Sequence, residues 1–226
     1  VYVFFGFLGP ITARYIKEIL ENFGGSVQVV VPEPMAVDGI TAYVGNAAQI
    51  GLLVSVGVAA GALAFDARPQ MAVFLRTRAA RVSEILTPRL IVTAAAVVGS
   101  FALGSIVALY ESVVLMGSLP IGGWALGTVI SGLYLVFVVA LTAAVSSRAK
   151  SILTTVMVTI GILLAMPILG IAPDVGEWLP SHLVGAIDGL IRDGSMSDYL
   201  PSIVMTIAGS AVLVWLSLRW AEQREL

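Results

Sequence analysis

The 226-residue chain contains no cysteine, which excludes both a disulfide framework and a cysteine–metal site. Charge is scarce as well: 12% of the residues are charged, against roughly 25% in an ordinary soluble domain. With 58% hydrophobic residues and a mean hydropathy of +1.00, there is too little polar side chain to clothe a soluble domain of this size. The solvent that fits is a bilayer. Lysine is confined to Lys17 and Lys150, and neither follows a glycine. The Gly-x-x-x-x-Gly-Lys-Ser/Thr phosphate loop is therefore missing, and the chain does not hydrolyse ATP by that route. Its one histidine, His182, rules out a His-Glu-x-x-His metal motif and reads as a surface or packing residue. No nucleophile–base pair suggests an intramembrane protease. The expectation is a non-enzyme with no catalytic, cofactor-binding or metal-binding residues. The net charge of −2 singles out no partner.

What the chain does contain is long uncharged runs, at Gly39–Phe65, Leu90–Tyr110, Ser112–Ser147, Ser151–Pro173 and Leu200–Leu218. A membrane-crossing helix needs about 20 largely apolar residues. The Gly and Pro cluster in "MGSLPIGGW" reads as a loop, and Asn46 and Gln49 place the start of one span near residue 48. Five complete spans are expected, at about 48–65, 90–110, 125–146, 152–171 and 200–218. The thirteen residues before Arg14 reach roughly 20 Å of a ~30 Å core, so they are expected to be the incomplete remainder of a sixth span. A non-standard start or a truncation would account for this, whereas a signal peptide lacks its basic leading region and cleavage site.

Charge sidedness orients the spans. Segments 66–89, 147–151 and 219–226 hold nine of the twelve basic residues and four of the fourteen acids. That side is expected to be cytoplasmic, with the C-terminus inside. Tyr110, Trp124, Tyr199 and Trp220 fall at span boundaries, where aromatic residues anchor to the interface. No ionisable residue lies inside the five complete spans, which argues against a self-powered ion-coupled transporter. Gly57 and Gly61 form a small-xxx-small pattern suited either to packing within the chain or to dimerisation. Pro167 is expected to kink or end its span.

Residues 65–89 break the greasy pattern. Met71, Phe74, Leu75, Ala79, Val82, Ile85 and Leu86 recur at three- and four-residue spacings, while Arg76, Arg81 and Glu84 fall off that stripe. Pro69 suits a helix start, and Pro88 is expected to break or kink the path into the next span. The pattern predicts a cytoplasmic amphipathic helix on the membrane surface. Its arginines either anchor it to anionic headgroups or form a handle for a cytoplasmic motor. Outside the membrane, Tyr15, Ile16, Ile19, Leu20 and Phe23 extend the first helix as far as Gly24–Gly25, and Pro32-Glu33-Pro34 is expected to be extended. Leu179, Leu183, Val184, Ile187 and Ile191 form an apolar stripe, which predicts an interfacial helix.

The segment "DARPQMAVFLRTRAARVSEIL" resembles the first cytoplasmic loop of the permease subunits of ABC-2-type exporters. Their loop runs acid–basic–Gly-Thr-Leu–leucine-rich–Pro-Val-Ser-Arg; this chain departs from it at "PQMA" and at Ala79–Ala80. The outer "VPEPMAVDGITAYVGNAAQIG" is similar to that family's Pro-Glu-Pro loop and lead-in to the second span. "WLPSHLVGAIDGLIRDGSMSDYLPS" is similar to its external hairpin, and "RWAEQREL" to its short C-terminal ending.

The resemblance implies a single all-α, polytopic permease domain over residues 1–226. It would have six transmembrane helices, the first incomplete, with a cytoplasmic amphipathic coupling helix and an external helical hairpin. It implies an exporter subunit in the cytoplasmic membrane, partnered by separate ATP-binding-cassette ATPase subunits and by a second permease copy, identical or related. It also implies that Asp66, Arg68, Phe74, Leu75, Arg76, Arg78 and Arg81 form the ATPase-coupling surface. Nucleic acid is not an expected partner, and the substrate is not indicated. The rival readings are a non-transporting membrane scaffold or assembly subunit and a stand-alone secondary transporter.

Overall fold

A computed structural model describes residues 1–23, 33–64, 83–172 and 174–223, with residues 17 and 19–23 described by backbone alone. Every regular element among them is helical. Helix α1 covers Tyr2–Phe23, and α2 (Ala36–Asn46) passes through a π-helical turn (Ala47–Gly51) into α3 (Leu52–Leu63). Then come α4 (Ser83–Met116), α5 (Ile121–Ser146) and α6 (Ile152–Leu169). Short 3-10 turns at Gly176–Trp178 and Pro180–Gly185 lead into α7 (Ala186–Ile191). A further turn at Met196–Tyr199 precedes α8 (Leu200–Gln223).

Five helical stretches are long and apolar enough to cross a membrane: Ala36–Leu63, α4, α5, α6 and Met196–Gln223. The described part of the chain is thus all-helical and of membrane-spanning character. A helix of this kind stands at each of the five complete spans expected, but most of the helices overrun their apolar runs. The α2–α3 stretch starts at Ala36 rather than near residue 48, and α5 starts at Ile121 rather than 125. Hydropathy marks where lipid can lie, whereas a helix ends only where its backbone bonds are intercepted. The 34 residues of α4 would extend roughly 50 Å, well beyond a ~30 Å hydrocarbon core.

The ends of the helices have local causes. Asp38 Oδ2 accepts the Met35 N–H at 2.8 Å at the start of α2. Ser151 Oγ accepts the Thr154 N–H at 3.1 Å and caps α6. Gly117, at φ +101°, takes the left-handed turn that stops α4, leaving a loop of only four residues before α5. Helix α4 runs through Pro88, which was expected to interrupt it. That proline lies within two turns of the described start, where a single missing N–H removes one bond of a long ladder. Pro167 sits two residues before the end of α6, in keeping with a span that ends there.

Helix α5 is the axis of the bundle. In its most apolar 18-residue stretch, 72% of residues are buried, against 17% for α6 and for the span ending in α8. Helix α1 packs chiefly on α4 and α2, and α8 packs on α5. In lipid, helices gain little from hydrophobic burial, so close approach and interhelical hydrogen bonds must hold them together. Gly6 and Gly104 provide the closest approach between α1 and α4. A Cβ on Gly6 would lie 2.5 Å from the Gly104 carbonyl oxygen, and one on Gly104 would lie 2.6 Å from that of Tyr2. On α8, Ser202, Thr206, Ser210 and Ser217 are the buried residues, a small polar face. Gly57 and Gly61 have open space where a side chain would stand, so their small-residue pattern packs against nothing among the described residues.

The apolar stripe of residues 179–191 has a different role from the one its pattern predicts. Leu183, Ala186 and Ile187 are fully buried, and Gly127 of α5 lets the backbone of α7 settle onto it. This apolar face is therefore covered by protein rather than by the membrane interface. Tyr199 departs in the same direction: it is buried and stacked on the His182 ring at 5.0 Å between centroids.

Candidate functional site

The feature that departs furthest from a plain helical bundle is the span formed by α2 and α3. Its two halves belong to different neighbours. Helix α2 packs chiefly on α1 and α4, whereas α3 packs chiefly on α5 and α6. Between them lies the π turn, where the Leu52 N–H reaches back five residues to the Ala47 carbonyl. Such turns bend a helix and recur at functional positions. Asn46, just ahead of the turn, donates its side-chain amide to the Ala42 carbonyl at 2.9 Å.

Tyr2 of α1 bridges the turn. Its ring lies against Gly51, where no larger residue would fit, and its hydroxyl is 2.9 Å from Ser55 Oγ. Tyr43 holds α2 to α4 by donating its hydroxyl to the Phe101 carbonyl at 2.9 Å. Phe101 stacks on Tyr43 and meets Tyr2 edge-on, with ring centroids 6.0 and 5.5 Å apart. Behind the turn is an apolar cavity of about 30 Å³, lined by Ala47, Ala48, Leu52, Tyr2, Phe101 and Tyr134, among others. That volume holds no more than a water or two, and its lining offers few polar partners to keep one.

At its N-terminal end, α2 is tied to α7 and the residue that follows it by charge. Arg192 Nε lies 3.2 Å from both carboxylate oxygens of Asp188. From the same guanidinium, Nη2 donates to Thr41 Oγ1 at 3.3 Å and lies 3.9 Å from Asp38 Oδ1. Thr41 also donates to Asp188. Further ties join the rest of the bundle. Trp124 Nε1 donates to Ser105 Oγ at 2.9 Å, and Ser131 donates to the Leu183 carbonyl at 3.0 Å. Ser202 donates to the Glu177 carbonyl at 2.5 Å and lies 3.2 Å from His182 Nδ1, which makes His182 a packed loop residue. The hydroxyls of Ser112, Ser146, Thr159 and Thr206 are buried without a hydrogen-bond partner among the described residues. Near the far ends of the spans, the Arg148 guanidinium lies over the Trp220 ring at 4.6 Å.

No family model, curated protein or solved structure matches this chain. The seven residues expected to couple to an ATPase, Asp66, Arg68, Phe74, Leu75, Arg76, Arg78 and Arg81, lie outside the described residues. The site legible here was not singled out from sequence. Asp188 and Arg192 carry an i,i+4 signal that could have flagged half of the outer tie. The partner residues Asp38 and Thr41, some 150 positions away, gave no such signal.

Proposed function

We propose that the chain is the membrane-spanning permease subunit of an ABC-2-type exporter in the cytoplasmic membrane. In this reading α1 is the first of six crossings and the C-terminus lies inside. Two permeases, identical or related, line a path, and two separate ATPase subunits act on residues 66–81 from below. The observation that carries the reading is a span divided between two packing groups and interrupted at its middle by a π turn. Discontinuous or bent helices of this kind belong to proteins that alternate between arrangements. The sequence supports the rest: the apolar runs hold no ionisable group through which an ion gradient could act, and there is no phosphate loop. An energy source on another chain is the simplest supply. The arginine-bearing segment between α3 and α4, on the side richest in basic residues, is where such a chain would grip.

The test is recovery of the tagged protein from its native membrane in mild detergent, with the eluate assayed for ATPase activity and bound proteins. A stoichiometric ATPase, lost when Arg76, Arg78 and Arg81 are all replaced by Glu while membrane insertion persists, is the expected result. Clean recovery without an ATPase, repeated in lipid nanodiscs, would overturn the reading.

A further inference from the structure

We propose that Arg192 is the latch of an outer gate, holding α2 against α7 so that the α1–α2–α4 group cannot swing away from the α5–α6–α8 group about the π turn at 47–51. Three separate observations converge on this device. First, the two halves of one span belong to different packing groups, so any relative movement of the groups must be absorbed between Asn46 and Leu52. Second, that stretch is already wound as a π turn and is backed by an apolar cavity. Side chains lining a void have contacts still to make, and closing it meets little resistance. Third, a charged cluster joins the groups at the end of α2 remote from the turn, where a swing about the turn has its largest amplitude. Asp38 and Thr41 belong to one group. Asp188 belongs to α7, which is seated on α5, and Arg192 follows directly on its last residue.

The latch is built to be reversible. The side chains of Arg192, Asp38 and Asp188 are 48%, 43% and 33% exposed, so water can replace the contacts as they break. Exposed ion pairs hold weakly, which suits a gate that must open under a modest load. On its own group Arg192 keeps Asp188 as a partner throughout; its bonds to Thr41 and Asp38 cross the gap, together with the Thr41 bond to Asp188 and, between α5 and α4, the Trp124 bond to Ser105. The motion requires no nucleotide and no partner chain, so its test stands apart from that of the permease reading.

The absence of native cysteine allows spin labels to be placed cleanly. One label goes at Met35→Cys, at the head of α2, and the other at Met196→Cys, ahead of α8; both native side chains are exposed. Pulsed electron-spin distances in lipid nanodiscs should show a main population and a longer minor one. Arg192→Ala should raise the longer population about threefold, in line with the weak hold of an exposed ion pair. Thr41→Val, which breaks the crossing bonds to Arg192 and Asp188 and leaves the Asp38 cap of α2 intact, should raise it as well. A control pair inside one group, Met35→Cys with Val114→Cys, should not change. The latch is overturned if Arg192→Ala or Thr41→Val leaves the first pair unaltered, or if the control pair broadens equally. Equal broadening would mean general loosening of the bundle.

Discussion

Replacing Gly127 by alanine tests whether α7 is seated on α5 by backbone contact. A Cβ at that position would lie 2.5 Å from Ile187 Cα, 2.8 Å from Ile187 N and 2.9 Å from the Ala186 carbonyl oxygen. All three are backbone atoms, so no side chain can rotate out of the way. Carbon atoms pack at roughly 3.5–4.0 Å, and α7 would have to retreat by about 1 Å. That retreat would loosen Ile187 and Leu183, both fully buried, and stretch the Arg192 contact to Thr41. Overpacking of this kind costs about 1–3 kcal/mol. Alanine in a helix interior recovers about 1 kcal/mol relative to glycine. The net expectation is a loss of up to about 2 kcal/mol. Gly57→Ala supplies the control, since nothing stands within 4 Å of its missing side chain and only the propensity gain applies. Both variants would be unfolded in the same nanodiscs and followed by the fluorescence of the four tryptophans. Gly127→Ala should unfold first and Gly57→Ala no earlier than the parent. If Gly127→Ala is as stable as Gly57→Ala, the close approach of α7 to α5 is wrong.

Tyr2→Phe removes the bond to Ser55 across the π turn and should cost about 0.5–1.5 kcal/mol in the same unfolding assay. Ser55→Ala should cost a similar amount, and the double variant little more than either alone, because both remove one bond. Ser202→Ala removes the donor to the Glu177 carbonyl and the partner of His182 Nδ1. It should cost about 1–2 kcal/mol and raise amide exchange in residues 176–183 before exchange rises in α5.

The spans were legible because a run of apolar residues is a statement about solvent, and lipid tolerates little else. Their true lengths were not, because Glu84, Arg89 and Glu111 continue α4 past the apolar run without breaking it. The loop reading of "MGSLPIGGW" held for residues 117–120 and overreached at its end. Gly122 and Gly123 look like turn residues in isolation, yet both lie in α5, and Gly123 is there because the Leu190 backbone occupies the place of its side chain. Helical period alone identified the apolar stripe 179–191 correctly but assigned it to the membrane interface. Period shows that a face must be covered, and only the tertiary structure shows that α5 covers it.

The same limit explains why the articulated span escaped notice. Asn46 and Gln49 stood out as polar residues in a greasy run and were read as the mouth of the membrane, where polar residues are cheapest. In the structure they flank and occupy the middle of a 28-residue stretch. Asn46 is partly buried and spends its amide on a carbonyl of its own helix, a bond that in lipid has no competing water. A polar side chain deep in a span has to be satisfied somewhere, and back-bonding to its own helix is one of the few arrangements that also bends it. Asn46 and Gln49 thus stand at the turn where one helical stretch passes from one group of neighbours to the other. The latch at Asp38, Thr41, Asp188 and Arg192 lies where the leverage of that bend is greatest.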